Sequence, residues 1–261
     1  MSAALTVMEI PSDLAGPPPA DTPVPGFLDA ALESFGLGRA QLSPVWRNGA
    51  GGLTFSVASA GEASPIDYYV KWNPAAAGES LAADAERLCW IAGRHPAPAA
   101  IELVTNAHEE VLLTRALPGE SAVSRRWKHE PEVALRALGV GLRQLHSVAL
   151  DQWPADWNVT HPRGVEDADA SDPDGAPSID RLVLCQGDPC APNTLLAADG
   201  SFLAHVDLAR LGVADRWSDL AVMSMSLAWN FTDYDESVFW EAYGIEPDPR
   251  RIDYHRRRHN A

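Results

Sequence analysis

The stretch that decides the fold is "LCQGDPCAPNTLLAADGSFLAHVDLAR", residues 184–210. "RLVLC", "TLLA" and "SFLAHV" read as short apolar strands, with "ADG" as the turn between the last two. Asp188 and Asn193 stand five residues apart on the loop between the first two runs, and Asp207 follows the third. Asp, Asn and Gly are ordinary turn formers. One such residue in a loop carries no message. Three at these spacings, each beside an apolar strand, do.

This is the arrangement that phosphoryl transfer needs. One carboxylate must reach the attacking hydroxyl, while an amide oxygen and a second carboxylate hold Mg²⁺ against the nucleotide phosphates. Hard oxygen donors suit that ion. The same Asp-to-Asn spacing, followed by a metal-binding Asp on the next hairpin, occurs in the kinase catalytic loop.

The rest of the chain accommodates such a site. Its 261 residues suffice for one large domain or two modest lobes, and at 46% hydrophobic residues it has the material for a core. The formal charge, 20 − 36 = −16, argues against nucleic acid or anionic membrane as partner and would attract a cationic small molecule. Cys89, Cys185 and Cys190 show no zinc or redox spacing and read as reduced thiols. No apolar run approaches the ~20 residues that span a bilayer. The N-terminus lacks a basic n-region, so the expected location is cytoplasmic.

Residues 1–26, with "GPPPADTPVPG", read as a Pro-rich leader. A short amphipathic helix at 27–38 is followed by strand-like pieces, one helix over "ESLAADAERLCWIAGR" and two more strands. Together these make a small lobe, 27–118. On the helix Leu81, Asp84, Ala85, Leu88 and Ile91 share a face, and Glu86 points elsewhere. The remainder, 119–261, holds a helical stretch, a long polar loop at 151–178, the opening motif and the helical "SDLAVMSMSLAWNF".

Several segments resemble one family. "CQGDPCAPNTLL" is similar to the "HGDxxxxN" loop of the aminoglycoside phosphotransferases. "HVDLARLGVADRWSDLAV" is similar to the "IDxGRxGxADRYxDLA" segment of their 3′- and 3″-phosphotransferase branch, and "FWEAYGIEPDPRRIDYH" to its "YGI…P…R" stretch. The resemblance implies an α+β, bilobal protein-kinase-like fold, with a small β-rich N-lobe and a mainly helical C-lobe. It implies ATP and Mg²⁺ as cofactors and a hydroxyl of a cationic aminoglycoside as acceptor. Asp188 is then expected as the base or hydroxyl-orienting residue, and Asn193 and Asp207 as the Mg²⁺ ligands. Arg210 is expected to steady the catalytic loop or phosphates, with Arg216 and Asp219 bracing the site. In the small lobe Lys71, at the end of "YYVKW", is expected to hold phosphates with Asp84 as its partner. "RNGAGGLTF" would cover the phosphates, and backbone groups around Thr114 and Ala116 would meet adenine.

Three departures stand out. Gln186 replaces the family's His before Gly-Asp. The polar loop 151–178 replaces a helical insert. The chain ends "IDYHRRRHNA", basic where relatives often carry acidic residues. These leave two alternatives: a kinase of another small alcohol or sugar, and a nucleotide-binding remnant without catalysis.

Overall fold

The computed structural model describes residues 15–49, 51–58, 66–74, 79–151, 153–154, 157 and 176–260. Most of the loop 151–178, and the leader up to residue 14, lie outside the described residues. Two compact units emerge, one of Met1–Ala92 with Pro98–Leu117, the other of Gly93–Ala97 with Pro118–Ala261.

In the first unit α1 (Gly26–Ser34) buries Leu28, Ala31 and Leu32, the i, i+3, i+4 set of one helical face. Strands β1 (Gln41–Arg47), β2 (Leu53–Ala58) and β3 (Ile66–Pro74) lead to α2 (Leu81–Ile91), then β4 (Ala100–Thr105) and β5 (Glu109–Arg115). The five strands form one antiparallel sheet in the order β1-β2-β3-β5-β4. Phe55, Val57, Val70, Val111 and Leu113 pack with Leu28 and Leu32 of α1 to make this unit's core. Of the leader, Gly16 exchanges both backbone hydrogen bonds with Arg47 of β1, at 3.0 and 2.8 Å.

Helix α2 begins where a cap is available. The Ser80 hydroxyl accepts the Ala83 N–H, and the Glu110 carboxylate on β5 accepts the Leu81 N–H at 2.6 Å. The glycine-containing turn has a packing reason too. A Cβ at Gly52 would lie 1.8 Å from Asn73 Oδ1, so only glycine lets the turn close over β3. The turn is held further by Asn48 Oδ1, which accepts the Gly52 N–H at 2.6 Å.

The second unit contains β6 (Glu120–Ser121), α3 (Arg125–Lys128) and α4 (Pro131–Leu145). After the loop come β7 (Leu182–Cys185), a 3-10 turn at Ala191–Asn193, β8 (Thr194–Leu196), β9 (Phe202–His205) and β10 (Gly212–Asp215). Helices α5 (Trp217–Asn230), α6 (Ser237–Tyr243) and α7 (Pro249–Asn260) close the chain. β7 pairs with β10, and β6-β8-β9 form a second small sheet. The core joins Leu135, Leu138 and Leu142 of α4 to Leu220, Met223 and Leu227 of α5 and Phe239, Trp240 and Tyr243 of α6.

Every residue of α5 from Trp217 to Leu227 is buried, as expected of a helix enclosed by its unit. Its buried hydroxyls all have partners: Ser218 with His255, Ser224 with Glu236, Ser226 with the Ala191 N–H. The α+β composition expected from the sequence is the one found. Among the described residues no helix is long and apolar enough to cross a membrane.

Candidate active site

β7 delivers the chain to Gln186-Gly187-Asp188, and α5 receives it. The Asp219 carboxylate accepts the Gln186 N–H at 2.6 Å and the Gly187 N–H at 3.2 Å, one on each oxygen. Asp219 is fully buried. A buried carboxylate needs partners of this kind to offset its desolvation. A third comes from His146 Nε2, 3.1 Å away, whose other ring nitrogen lies 2.8 Å from the Tyr243 hydroxyl. Cys185 Sγ lies with these His and Asp ligand atoms, all within 4.8 Å of one another. Burial holds its thiol well above the ordinary range, helped by the charges of Asp219 and Asp215. With both its oxygens taken by backbone N–H groups, the Asp219 carboxylate braces the loop.

Gly187 has φ 84°, and a Cβ there would meet the Arg210 carbonyl oxygen at 2.2 Å. Glycine therefore lets the loop lie against the segment after Asp207. Asp188 follows. Its backbone oxygen accepts from Asn193 Nδ2 at 3.0 Å, and its carboxylate takes the Cys190 thiol on Oδ1 at 3.2 Å. Asn193 Nδ2 also lies 3.5 Å from Asp188 Oδ2. The Asn193 carbonyl accepts the Val206 N–H at 2.9 Å, tying the loop to the end of β9. Asp207 itself adopts φ 56°, the left-handed region that non-glycine residues rarely enter. Such conformations cluster where a fold fixes a functional side chain.

A side chain also crosses between these two segments. Gln186, 0% exposed, accepts the Asp188 N–H on its side-chain oxygen at 2.8 Å. Its side-chain nitrogen donates to the carbonyls of Val206 at 3.0 Å and Asp207 at 3.2 Å. The spacing of the sequence gives no hint of this.

The bracing pair separates. Asp219 holds the loop, whereas Arg216 pairs with Asp180 at 2.6 Å, and Trp217 Nε1 reaches the same carboxylate at 2.9 Å. The basic C-terminus also has a place. His259 on α7 lies within electrostatic range of Asp188 and Arg210, and burial lowers its pKa.

In the first unit Lys71 Nζ stands 2.9 Å from Asp84 Oδ2. Asp84 is 1% exposed and lies on the face of α2 shared with Leu81, Ala85, Leu88 and Ile91. Glu86, on the opposite face, is exposed. Near the end of β5, Thr114 is laddered to Tyr69 of β3 and Ala100 of β4, with its hydroxyl 3.3 Å from the Tyr69 carbonyl. Ala116 gives its N–H to the Asp67 carbonyl at 3.0 Å. The Ala116 N–H, one of the backbone groups expected to meet adenine, is thus already bonded within the unit.

The donor chemistry suits Mg²⁺. Asn193 and Asp207 present an amide and a carboxylate oxygen, and the Asn193 amide is oriented by its nitrogen, which is bonded to Asp188. A hairpin-capped five-stranded sheet with its Lys–Asp pair, and a helical unit carrying an Asp-x4-Asn loop followed by an Asp, define a phosphotransferase of the protein-kinase-like class.

Comparison with known proteins agrees. The family model described as "Phosphotransferase enzyme family" matches residues 45–255, and the chain belongs to that family. Among curated proteins it is 29% identical over 271 residues to a streptomycin 3''-kinase of Streptomyces griseus, covering 90% of this chain and 96% of that one. It is 26% identical over 219 residues to an aminoglycoside 3'-phosphotransferase of Escherichia coli, covering 72% and 79%. Among solved structures, an aminoglycoside-3'-phosphotransferase of type VIII superposes with TM-score 0.67 at 25% identity, covering 88% of this chain and 97% of that one.

Proposed function

We propose that the protein transfers the γ-phosphoryl group of ATP, with Mg²⁺, to a hydroxyl of an aminoglycoside, and so confers resistance to it. The observation that carries this reading is the loop Asp188–Asn193, tied to Asp207 through Gln186 and to α5 through Asp219. It occurs in a chain that matches a streptomycin 3''-kinase along 96% of that protein's length.

Asp188 orients the acceptor hydroxyl and takes its proton. Asn193 and Asp207 would hold the Mg²⁺, which when bound neutralises charge on the phosphates. Lys71, steadied by Asp84, holds phosphate oxygens, and Arg210 steadies the loop or the phosphates. The cytoplasm, where ATP is available, is the expected location. Purified protein should phosphorylate streptomycin or kanamycin only with ATP and Mg²⁺, and Asp188→Ala should lose about 10²–10⁴ of the rate while still binding ADP. Absence of turnover on both antibiotics would sink the acceptor assignment.

A second reading, a kinase of another small alcohol or sugar, is favoured by one observation. His259 lies within electrostatic range of Asp188, at the end of a helix that also carries Arg256, Arg257 and Arg258. The positive charge of those arginines would oppose a polycation. ATP consumption across a panel of sugars and amino alcohols separates the two readings.

A further inference from the structure

We propose that Gln186 is a positioning residue: its carboxamide fixes Asp188 and Asp207 relative to each other, so that the proton-accepting loop and the metal-binding segment move as one piece. This rests on the phosphotransferase reading for the roles of those two aspartates.

The geometry uses the whole amide. A carboxamide has two N–H donors and one carbonyl acceptor. Here the donors reach the Val206 and Asp207 carbonyls, and the oxygen takes the Asp188 N–H. The orientation has no workable alternative. Reversed, the oxygen would face two carbonyls and the NH₂ would face an N–H. The side chain is wholly enclosed, so each contact is made where water cannot replace it. The residue's own backbone N–H is held by Asp219, which fixes the base from which the side chain reaches.

No common replacement does the same. Glutamate keeps the size but sets an anion against two carbonyls. A neutral imidazole offers one donor and one acceptor and so satisfies two contacts of three. Leucine leaves an N–H and two carbonyls without these partners. The departure from the family's His at this position therefore reads as a fuller coupling, and one that does not titrate, rather than as decay of the site.

The test compares Gln186→Glu, Gln186→His and Gln186→Leu with the parent, each first shown to be folded by its thermal transition. Two readouts are taken. One is ADP affinity by calorimetry with MgCl₂ and with EDTA, which isolates the magnesium-dependent gain. The other is kcat and KM with ATP and streptomycin. Outer-sphere partners of metal ligands typically contribute 10–100-fold. Gln186→Glu and Gln186→Leu should lose about that factor in the magnesium-dependent gain and in kcat. ADP affinity in EDTA and KM for the acceptor should change little. Gln186→His should fall between these and the parent, because it makes two contacts of three.

A folded Gln186→Glu protein with the parent's magnesium-dependent gain overturns the proposal. So does a Gln186→His protein no better than Gln186→Glu, since the order expected from counting hydrogen bonds would be absent. If Gln186→Leu does not fold, the Glu and His variants decide. If the parent binds Mg·ADP but phosphorylates no antibiotic, the acceptor assignment fails and Gln186 is judged on the magnesium-dependent gain alone.

Discussion

Asp219, on the first turn of α5, accepts the backbone N–H of Gln186 at 2.6 Å, 33 residues back along the chain. The loop carrying Asp188 is thus set by a helix that follows it in sequence. Replacing Asp219 with Ala leaves the Gln186 and Gly187 N–H groups buried without that acceptor and removes the anion facing His146. Each unsatisfied group costs about 1–3 kcal/mol, so the total loss for the two should be roughly 2–6 kcal/mol. Denaturant unfolding measures it. A loss below about 1 kcal/mol would show that the brace is dispensable.

Lys71 and Asp84 are joined by an ion pair whose acidic member is 1% exposed. Asp84→Asn removes the charge and keeps the shape. The ammonium loses its anchor, and the KM for ATP should rise by about tenfold, the factor that corresponds to 1.4 kcal/mol. KM for the acceptor should stay near its parent value. Steady-state kinetics with each substrate varied in turn would show the split. An unchanged KM for ATP rules out the role given to the pair.

Acid should destabilise the second unit through two buried histidines. His95 Nε2 lies 2.9 Å from His205 Nδ1. Burial lowers His95 from 6.5 to about 4, with His146 adding a smaller effect, and lowers His205 well below its ordinary value. Both are therefore neutral in the folded state at pH values where the unfolded chain is protonated. The stability this contributes is fully present above about pH 6.5. It is lost as pH falls from there toward 4, by at most about 1.4 kcal/mol per pH unit for each group. Urea unfolding at pH 7.5, 6 and 5 should show the fall, and His95→Gln should make it shallower. A flat profile for the parent over that range would contradict the burial of the pair.

The three thiols should differ in reactivity. Cys89 is exposed. Cys185 and Cys190 are held above the ordinary thiol range, by burial first and then by nearby carboxylates. Only the thiolate reacts. At pH 8 the folded protein should therefore take up iodoacetamide at Cys89, and at all three only after unfolding. Mass spectrometry of the digested protein identifies the sites. Rapid labelling of Cys190 in the folded state would show that its contact with Asp188 is not made.

The sequence by itself determined the features that depend on local pattern. The 3.6-residue period put Leu81, Asp84, Ala85, Leu88 and Ile91 on one face of α2, and that face together with the family resemblance pointed to Asp84 rather than Glu86 as partner of Lys71. Alternation of apolar runs with "RNGAGG" marked strands of the first unit, and with "ADG" strands of the second. The family to which the chain belongs was legible in "CQGDPCAPNTLL" and "RLGVADRWSDLA".

Tertiary structure alone decided how the site is held. Gln186 stood out only as a departure, since its partners Val206 and Asp207 lie 20 and 21 residues away. Arg216 found Asp180, 36 residues back, rather than its close neighbour Asp219. Helix α7, "PRRIDYHRRRHN", has too few apolar residues to announce a buried face. Ile252 and His255 are buried there because α5 supplies the surface they pack on, with Ser218 meeting His255 and Ser224 meeting Arg256. A period in sequence reports which way a side chain points within its own element. The hydrogen bonds that lock two distant loops together leave no period, because their partners are chosen only when the chain has folded back on itself.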